Sequence, residues 1–220
     1  PAQAVHAFCH CLPGAWHQMS VILSAASCLT WLTELTGADS EAALLAEAAE
    51  SPARTDDPLF LPYLSGERTP HNNPHARGVF FGLGLATDRA ALCRAVLEGV
   101  AFAFADGQGA LLAAGTEIDD VAVIGGGARS AYWGQMLASV LARPLTYHEG
   151  GEAGPAFGAA RLARLSVTGE AVGDVCIAPP VRSVIEPDAA AGSFFDARRQ
   201  QFVALYSELE DQFTQHMTRQ

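Results

Sequence analysis

Short stretches of alternating or continuous apolar residues predict strands along this chain, and longer stretches of 3.6-residue period predict helices. Residues 4–12 alternate between apolar and polar in the manner of a strand, and residues 15–17 could return after a turn as the second strand of a hairpin. Apolar runs between glycine and proline residues predict the other strands. These cover residues 58–62, 78–82, 121–124 and 144–148, of which the first and the third are expected to be buried.

Apolar residues recur at helical spacing in six longer segments. Ser40 and Asp88 are expected to cap two of these helices, because their side-chain oxygens can accept the first backbone N–H groups. Pro155 suits the first position of another helix. The predicted helices cover residues 19–35, 40–50, 88–114, 133–141, 156–165 and 193–217.

The order of these elements predicts one α/β domain over residues 1–220. A few strands come first and helices then alternate with strands, so we expect a mixed sheet with helices on both faces. Residues 166–187 are expected to form an irregular crossing. The chain begins at Pro1 without an initiator methionine, and we therefore expect it to be a piece of a longer protein.

Charge and composition argue against several classes of function. A net charge of −11 argues against a nucleic-acid partner, because such a surface needs a clustered basic face. All 13 basic residues are arginine, so a phosphate group would have to be bound by arginine, by backbone N–H groups or by Mg²⁺. We find no apolar run long enough to predict a membrane span, and we recognise no signal peptide.

The five cysteines include no Cys-x-x-Cys pair, which favours a reduced, cytoplasmic protein with buried thiols over a disulfide framework. Cysteine and histidine residues near the N-terminus could suggest a metal site. However, Cys9 and Cys11 are expected on the opposite strand face from His6 and His10, and no second ligand pair has zinc spacing. We therefore expect buried thiols on a sheet and no metal site.

The segment with the strongest functional signal is a strand that turns through three glycines into a helix. Gly125, Gly126 and Gly127 let the backbone approach a ligand closely, and the first N–H groups of the following helix favour negative charge. The segment is neither a Walker A loop nor a G-x-G-x-x-G fingerprint. From this local pattern alone, nucleotide binding and a tight turn that binds nothing have equal weight.

Two further segments leave alternatives open. Residues 24–28 are small, which suits either close contact between helices or a smooth wall for a flat ligand. The loop over residues 64–75, called the polar loop below, is dense in hydrogen-bonding groups and prolines. Such a loop is either functional or a solvated turn.

Residues 60–74 read FLPYLSGERTPHNNP, and residues 125–130 read GGGARS. With these motifs the chain resembles the FGGY family of carbohydrate kinases over nearly its whole length, and the first motif is most similar to the members that phosphorylate D-xylulose. The stretches GVFFGL at residues 78–83 and LCRAVLE at residues 92–98 resemble the second signature of the family. Ala91 departs from that signature, which usually has a polar residue there.

The motif GGGARS at residues 125–130, with Trp133 and Gln135, resembles the nucleotide-binding turn of the family. The resemblance implies an actin-like, ribonuclease H-like fold with ATP and sugar in a cleft between two domains. The implied contacts are close backbone approach at Gly125, Gly126 and Gly127, a hydrogen bond from Ser130 to the adenine end, and a wall of the ATP site formed by Ala26 and Thr30.

The same resemblance implies that the catalytic residues lie elsewhere. The general-base aspartate and the N-terminal sugar-binding domain of the family have no counterpart here, so residues 1–220 are expected to be the C-terminal, nucleotide-binding half. We expect no catalytic residue and no metal ligand within it. The implied cofactors are ATP and Mg²⁺. The implied partners are the N-terminal domain, a pentulose substrate and a second copy in a homodimer, with neither nucleic acid nor membrane.

The activity implied for the whole protein is transfer of the γ-phosphoryl group of ATP to the 5-hydroxyl of D-xylulose. Glu67 and Arg68 are expected to face the cleft and to help order its closed state. Two alternatives remain: another kinase of the family, acting on ribulose, gluconate or glycerol, and a non-catalytic actin-like module that binds nucleotide.

Overall fold

The architecture is taken from a computed structural model that describes residues 2–217. Residues 1 and 218–220 of the predicted domain lie outside the described residues. Short 3-10 turns occur at Ala2–Ala4, Gly126–Arg129 and Gly151–Ala153. The strands are β1 His6–Cys9, β2 Trp16–Met19, β3 Leu59–Leu61, β4 Val79–Phe81, β5 Leu145–His148 and β6 Val181–Ile185. The helices are α1 Ala26–Thr36, α2 Glu41–Glu50, α3 Arg89–Ala113, α4 Ala131–Leu141, α5 Pro155–Thr168, α6 Val172–Val175 and α7 Ala189–Met217.

The strands form three two-stranded antiparallel sheets, β1–β2, β3–β4 and β5–β6. A parallel bridge between Ala122 and Thr146 adds one further segment beside β5, so the pairing around β5 is mixed. The strand predicted over residues 121–124 is reduced to this bridge, while β6 lies where an irregular crossing was expected. The predicted burial of that segment is wrong: Ala122 and Ile124 are exposed, and Val121 and Val123 are half-buried. Only the β5 side of the segment is paired in the described part of the chain.

The sheet β3–β4 has the layered arrangement that an α/β class predicts. Phe60 stacks against Trp31 of α1, with ring centroids 5.8 Å apart, while its neighbour Leu61 packs with Phe202 of α7. Because successive side chains of a strand point to opposite faces, helices cover both faces of this sheet. The predicted α/β class is confirmed.

The 25-residue helix α3 lies at the centre of the fold, because α1, α2, α4 and α7 all pack against it. By length and composition α3 could cross a membrane, contrary to the expectation that no segment could. In the structure, 67% of its most apolar stretch is buried, so α3 serves as a core helix. A helix covered on nearly every side needs no polar face, which gives α3 the composition of a membrane span.

Helix α1 begins at Ala26 and not at Met19, so the predicted start is wrong. Met19 is the last residue of β2. After it, the backbone N–H groups of Val21 and Leu23 donate to side chains of the polar loop. Because this segment takes its hydrogen bonds from a distant part of the chain, it stays non-helical until Ala26.

The predicted caps are confirmed at two helices. Ser40 Oγ accepts the N–H of Ala43 at 3.1 Å, and Asp88 Oδ1 accepts the N–H of Ala91 at 2.7 Å. Pro155 is the first residue of α5, as predicted. Each of these features depends on a few adjacent residues, which is why the sequence reveals it.

Four of the five thiols fall into two groups, and the fifth, Cys176, is half-buried. Cys28 and Cys93 are buried, and this burial raises the pKa of each to about 12. Cys9 and Cys11 are exposed, so the prediction of buried thiols on the N-terminal sheet is wrong. The β1–β2 hairpin is largely exposed on both faces in the described part of the chain, so alternation along β1 does not separate a core face from a solvent face.

Four buried charged side chains join α3 to α7 and to the loop before β3. Arg94 Nε donates to Asp57 Oδ2 at 2.8 Å, and Arg198 Nε donates to Glu98 Oε2 at 2.6 Å. The other guanidinium nitrogens of Arg198 donate to the carbonyl oxygens of residues 55, 57 and 58. Each of the four side chains is at most 4% exposed. Buried charges are tolerated only when they are paired in this way, so the cluster fixes α7 against the core.

The buried carboxyl of Glu98 should make stability depend on pH. Burial raises the pKa of Glu98 to about 7, although Arg198 acts in the opposite direction. The folded state then keeps a proton that the unfolded state loses at its ordinary pKa of 4.5. This group therefore contributes most stability below pH 4.5, and the contribution declines as the pH rises to about 7.

We expect Glu98→Gln to remove this part of the pH dependence, so that the melting temperature falls less between pH 5 and 7 than in the wild type. Calorimetry at four values between about pH 5 and 8 would measure the slope. Glu208→Gln, on an exposed position of α7, is the control and should leave the slope unchanged. Equal slopes for Glu98→Gln and the wild type would contradict the assignment.

Candidate functional site

Two glycine-rich turns lie side by side at one edge of the fold. Val123 N–H donates to Thr146 O at 2.9 Å, and Thr146 N–H donates to Val121 O at 2.8 Å, so these segments run parallel. Both segments then leave at the same edge, one into residues 125–127 and the other into residues 150–154. The carboxyl ends of parallel strands are the usual position of ligand sites in α/β folds.

The first two glycines of the turn present bare backbone to open space. Gly125 has a φ of 86°, which favours glycine, and its N–H donates to Gly151 O at 3.1 Å. A Cβ atom added at Gly125 or Gly126 would meet no heavy atom within 4 Å, whereas one at Gly127 would lie 3.2 Å from the ring of Trp133. Gly125 and Gly126 therefore leave room for a ligand. At Gly127 the ring of Trp133 packs where a side chain would otherwise lie.

The short 3-10 turn Gly126–Arg129 leaves donors available beside that space. Its first two N–H groups, those of Gly126 and Gly127, have no backbone acceptor among the described residues. Ala128 N–H, in contrast, donates to Gly125 O at 3.2 Å. Backbone donors without an acceptor at the start of such a turn can bind an anionic or polar group.

Ser130 lies between this turn and α4 and caps the helix. Its Oγ accepts the N–H of Trp133 at 3.2 Å. The cap uses an acceptor lone pair and leaves the hydroxyl hydrogen free to donate. The hydrogen bond to adenine expected for Ser130 stays a prediction.

Helix α1 presents the two residues that were predicted to line a nucleotide site. Ala26 and Thr30 are exposed and stand one turn apart on the same face. The hydroxyl of Thr30 donates to the carboxylate of Glu41 in α2. The opposite face of α1 is buried through Cys28 and Leu32. The small, exposed face fits the wall predicted there, and its contact with a nucleotide stays a prediction.

The structure joins α1 and the glycine turn through the core. Cys28 and Leu29 of α1 belong to the same buried cluster as Ala128 of the turn and Trp133 of α4. Trp133 Nε1 also donates to the carbonyl oxygen of Leu97 in α3, at 3.3 Å. Helix α3 thus holds both candidate elements on one rigid support.

A cavity of about 460 Å³ adjoins the glycine turns and contains charged residues that the sequence did not single out. Arg129 is exposed and forms no side-chain hydrogen bond or ion pair with the described residues. Arg182 lies 4.0 Å from Glu152. Arg129 could have been noticed as the charged residue of the GGGARS motif, whereas Arg182 belongs to β6, which was not predicted. The lining comprises Val123, Ala128, Arg129, Tyr147, His148, Gly151, Glu152 and Arg182.

The polar loop is arranged differently from the prediction. Glu67 is only 2% exposed, and its Oε1 accepts the N–H groups of Leu23 at 3.1 Å and of Arg68 at 2.7 Å. Burial raises the pKa of Glu67. The expectation that Glu67 faces the cleft is therefore corrected: it points inward, because the buried backbone beside it needs an acceptor. Arg68 is exposed, and its role in a cleft stays a prediction.

No group of three histidine, cysteine, aspartate or glutamate side chains within residues 2–217 is arranged to hold a metal ion. The described residues therefore do not form a complete Mg²⁺ site. What they offer to a ligand is open space against glycine backbone, free N–H donors and two arginines. These groups suit binding of a polar, anionic molecule.

Comparison with known proteins identifies the family of this chain. A family model described as the C-terminal domain of the FGGY family of carbohydrate kinases matches residues 1–167. Xylulose kinase from Escherichia coli (strain K12) is 49% identical over 210 residues, which are 95% of this chain and 43% of that protein. The chain thus spans less than half the length of that relative.

Solved structures agree with the sequence comparison. A protein described as a xyloylose kinase from Brucella ovis has a TM-score of 0.86 and 48% identity, covering 96% of this chain and 44% of that one. Xylulose kinase from Rhodospirillum rubrum has a TM-score of 0.78 and 33% identity, covering 96% of this chain and 43% of that one. Because of these matches, the expected actin-like, ribonuclease H-like fold class is confirmed. The chain belongs to the FGGY family of carbohydrate kinases and contains the C-terminal domain of that family.

Proposed function

We propose that this chain is the nucleotide-binding half of a kinase that transfers the γ-phosphoryl group of ATP to the 5-hydroxyl of D-xylulose. The observation that carries the proposal is the open backbone of Gly125 and Gly126 where two parallel segments end. The relatives named xylulose kinase support the choice of sugar. Their greater length supports a second, N-terminal domain that completes the cleft.

In this proposal the residues of this chain bind and orient the nucleotide. The phosphates and ribose lie against Gly125 and Gly126, whose lack of side chains permits close approach. Ser130 donates to the adenine end, and Ala26 and Thr30 form the opposite wall. Holding the nucleotide in one orientation is a large part of catalysis in phosphoryl transfer, because the γ-phosphate must stand in line with the attacking hydroxyl.

The remaining chemistry comes from outside this chain. The general base is an aspartate of the missing part, which takes the proton from the sugar hydroxyl as it attacks phosphorus. When bound with ATP, Mg²⁺ would supply positive charge beside the phosphate oxygens. We assign the Mg²⁺ ligands to ATP and to the missing part, since residues 2–217 hold no cluster of metal-ligating side chains.

We place the full-length protein in the cytoplasm, with a pentulose as its small-molecule partner and no nucleic-acid partner. The free, exposed thiols of Cys9 and Cys11 suit a reducing compartment. The net charge of −11 supports the absence of a nucleic-acid surface. A homodimer that pairs through surface helices stays a prediction.

The experiment that tests the proposal is ADP release by the full-length protein with Mg-ATP and D-xylulose, with this chain alone assayed in parallel. We expect activity in the full-length protein and none in the chain alone. Ribulose, gluconate and glycerol tested beside D-xylulose would reveal another specificity within the family. No ADP release with any of these substrates would leave a non-catalytic nucleotide-binding module as the better reading.

Gly126→Ala separates ligand binding from folding at the turn. An added methyl group meets no heavy atom within 4 Å, so we expect an unchanged melting temperature. The same methyl would occupy the space assigned to the nucleotide, so the KM for ATP should rise about tenfold while the KM for D-xylulose stays constant. Steady-state kinetics of the full-length protein would measure both constants.

Gly173→Ala is the matched control, because its added Cβ also meets nothing within 4 Å and Gly173 lies outside the proposed site. It should leave both KM values unchanged. An unchanged KM for ATP in Gly126→Ala would remove the nucleotide from this turn.

A further inference from the structure

The segment between β2 and α1 is held in place by two side chains of the polar loop. Val21 N–H donates to Thr69 Oγ1 at 2.9 Å, and Leu23 N–H donates to Glu67 Oε1 at 3.1 Å. Thr69 N–H returns a hydrogen bond to Val21 O at 3.0 Å. Val21 and Leu23 thus pair with Thr69 and Glu67 in antiparallel order, and two of the three acceptors are side-chain oxygens.

These hydrogen bonds fix the segment from which α1 begins, because the helix has no side-chain N-cap. The N-cap residue Ala25 has a φ of −116° and a ψ of −104°, and it provides no side-chain cap. Leu23 is bonded to the polar loop, and Ala26 follows only three residues later as the first residue of α1. A displacement at Leu23 would therefore pass directly to Ala26 and, one turn further, to Thr30.

The polar loop is itself anchored on its other side, so it can transmit a fixed position. Asn73 Nδ2 donates to Tyr206 Oη of α7 at 3.1 Å, and His71 stacks on the ring of Tyr206 with centroids 3.6 Å apart. Tyr63 Oη and His71 Nε2 lie 3.0 Å apart in a further hydrogen bond. The loop connects α7 to the start of α1 as a rigid spacer.

We propose that Glu67 and Thr69 are positioning residues for the nucleotide: they fix the exposed face of α1, formed by Ala26 and Thr30, without touching the ligand. The inference rests on the proposed function, since it assumes that this face lies against ATP. Both side chains are almost fully buried, at 2% and 1% exposure, and they bond to the backbone on the side of α1. The side-chain oxygens of this polar loop are buried because they accept hydrogen bonds from the backbone before α1.

The test compares variants of the full-length protein that remove or keep the acceptor oxygen. Thr69→Val and Glu67→Ala leave the N–H groups of Val21 and Leu23 without acceptors. We expect the KM for ATP to rise five- to tenfold in each, that is by about 1 to 1.4 kcal/mol, with the KM for D-xylulose within about twofold. Thr69→Ser and Glu67→Gln keep an acceptor and should stay within about twofold to threefold of the wild-type KM for ATP.

A control variant separates positioning from a general loss of stability. Ser139→Ala removes a buried hydroxyl of α4 that donates to Gln135 O at 2.8 Å and accepts the N–H of Asp188 at 3.0 Å. It should lower the melting temperature and leave both KM values unchanged. A similar pattern in Thr69→Val, with a lower melting temperature and an unchanged KM for ATP, would overturn the proposal.

Direct titration with ADP measures nucleotide affinity without the phosphoryl-transfer reaction. The Kd for ADP should rise in Thr69→Val and Glu67→Ala and recover in the Ser and Gln variants. If the wild type binds ADP but phosphorylates no sugar, the proposed reaction fails while the positioning role is still measured. If Thr69→Val does not fold, the pair Glu67→Ala and Glu67→Gln provides the same comparison, and equal ADP affinity in these two would overturn the proposal.

Discussion

Replacing Arg198 by methionine is expected to lower the free energy of unfolding by about 3–5 kcal/mol. The methionine keeps an apolar stem but removes the donor that meets Glu98 Oε2 at 2.6 Å and those that reach three backbone carbonyl oxygens. Glu98 would stay buried without its cation, since the nearby Arg94 is paired with Asp57. Urea unfolding followed by tryptophan fluorescence would measure the loss.

Arg164→Met is the matched control for this prediction. Arg164 is also paired with a glutamate, Glu170, but both side chains are more than a third exposed. Solvent screens such a pair, so its removal should change stability little or not at all. Equal losses from Arg198→Met and Arg164→Met would show that burial of the Arg198 cluster has no special energetic role.

Gly99→Ala should be comparably severe, with a loss of about 3 kcal/mol or more. A Cβ atom at Gly99 would lie 2.2 Å from the carbonyl oxygen of Phe60. Because this oxygen belongs to the backbone of β3, no side-chain rotation can relieve the clash, and α3 would have to move away from the sheet. The melting temperature and the urea midpoint of the full-length protein would report the loss.

Gly109→Ala provides the control within the same helix. Gly109 is exposed, and a Cβ atom there would meet nothing within 4 Å. Since alanine favours a helix more than glycine does, Gly109→Ala should stabilise α3 by about 0.5–1 kcal/mol. If Gly99→Ala also stabilised the protein, the close approach of α3 to β3 would be wrong.

The features of the fold that could be predicted are those with local causes. The caps at Ser40 and Asp88 depend on residues three positions away, so the sequence shows them directly. In contrast, β6 has four exposed residues followed by one half-buried residue, so no alternation of burial marks it as a strand. The start of α1 could not be predicted either, because it is determined by hydrogen bonds to the polar loop.

The same distinction applies to the candidate site. The need for glycine at Gly125 comes from a positive φ in a tight turn, which is a local property. The inward orientation of Glu67 depends on Leu23, which is 44 residues away. Arg182 reaches the cavity beside the glycine turns only because β6 pairs with β5. Residues adjacent in sequence do not indicate such long-range contacts.

The placement of Arg198 in the last helix has a consequence for the order of events during synthesis. Glu98 leaves the ribosome 100 residues before the arginine that neutralises it, and Pro58 leaves 140 residues before the same side chain. At translation rates of about 5–20 residues per second, the delay is on the order of ten seconds. During this time Glu98 has no arginine partner from α7, and the aromatic surface that Phe202 and Tyr206 cover in the folded chain stays exposed. Such a chain is a suitable client for a chaperone until α7 emerges.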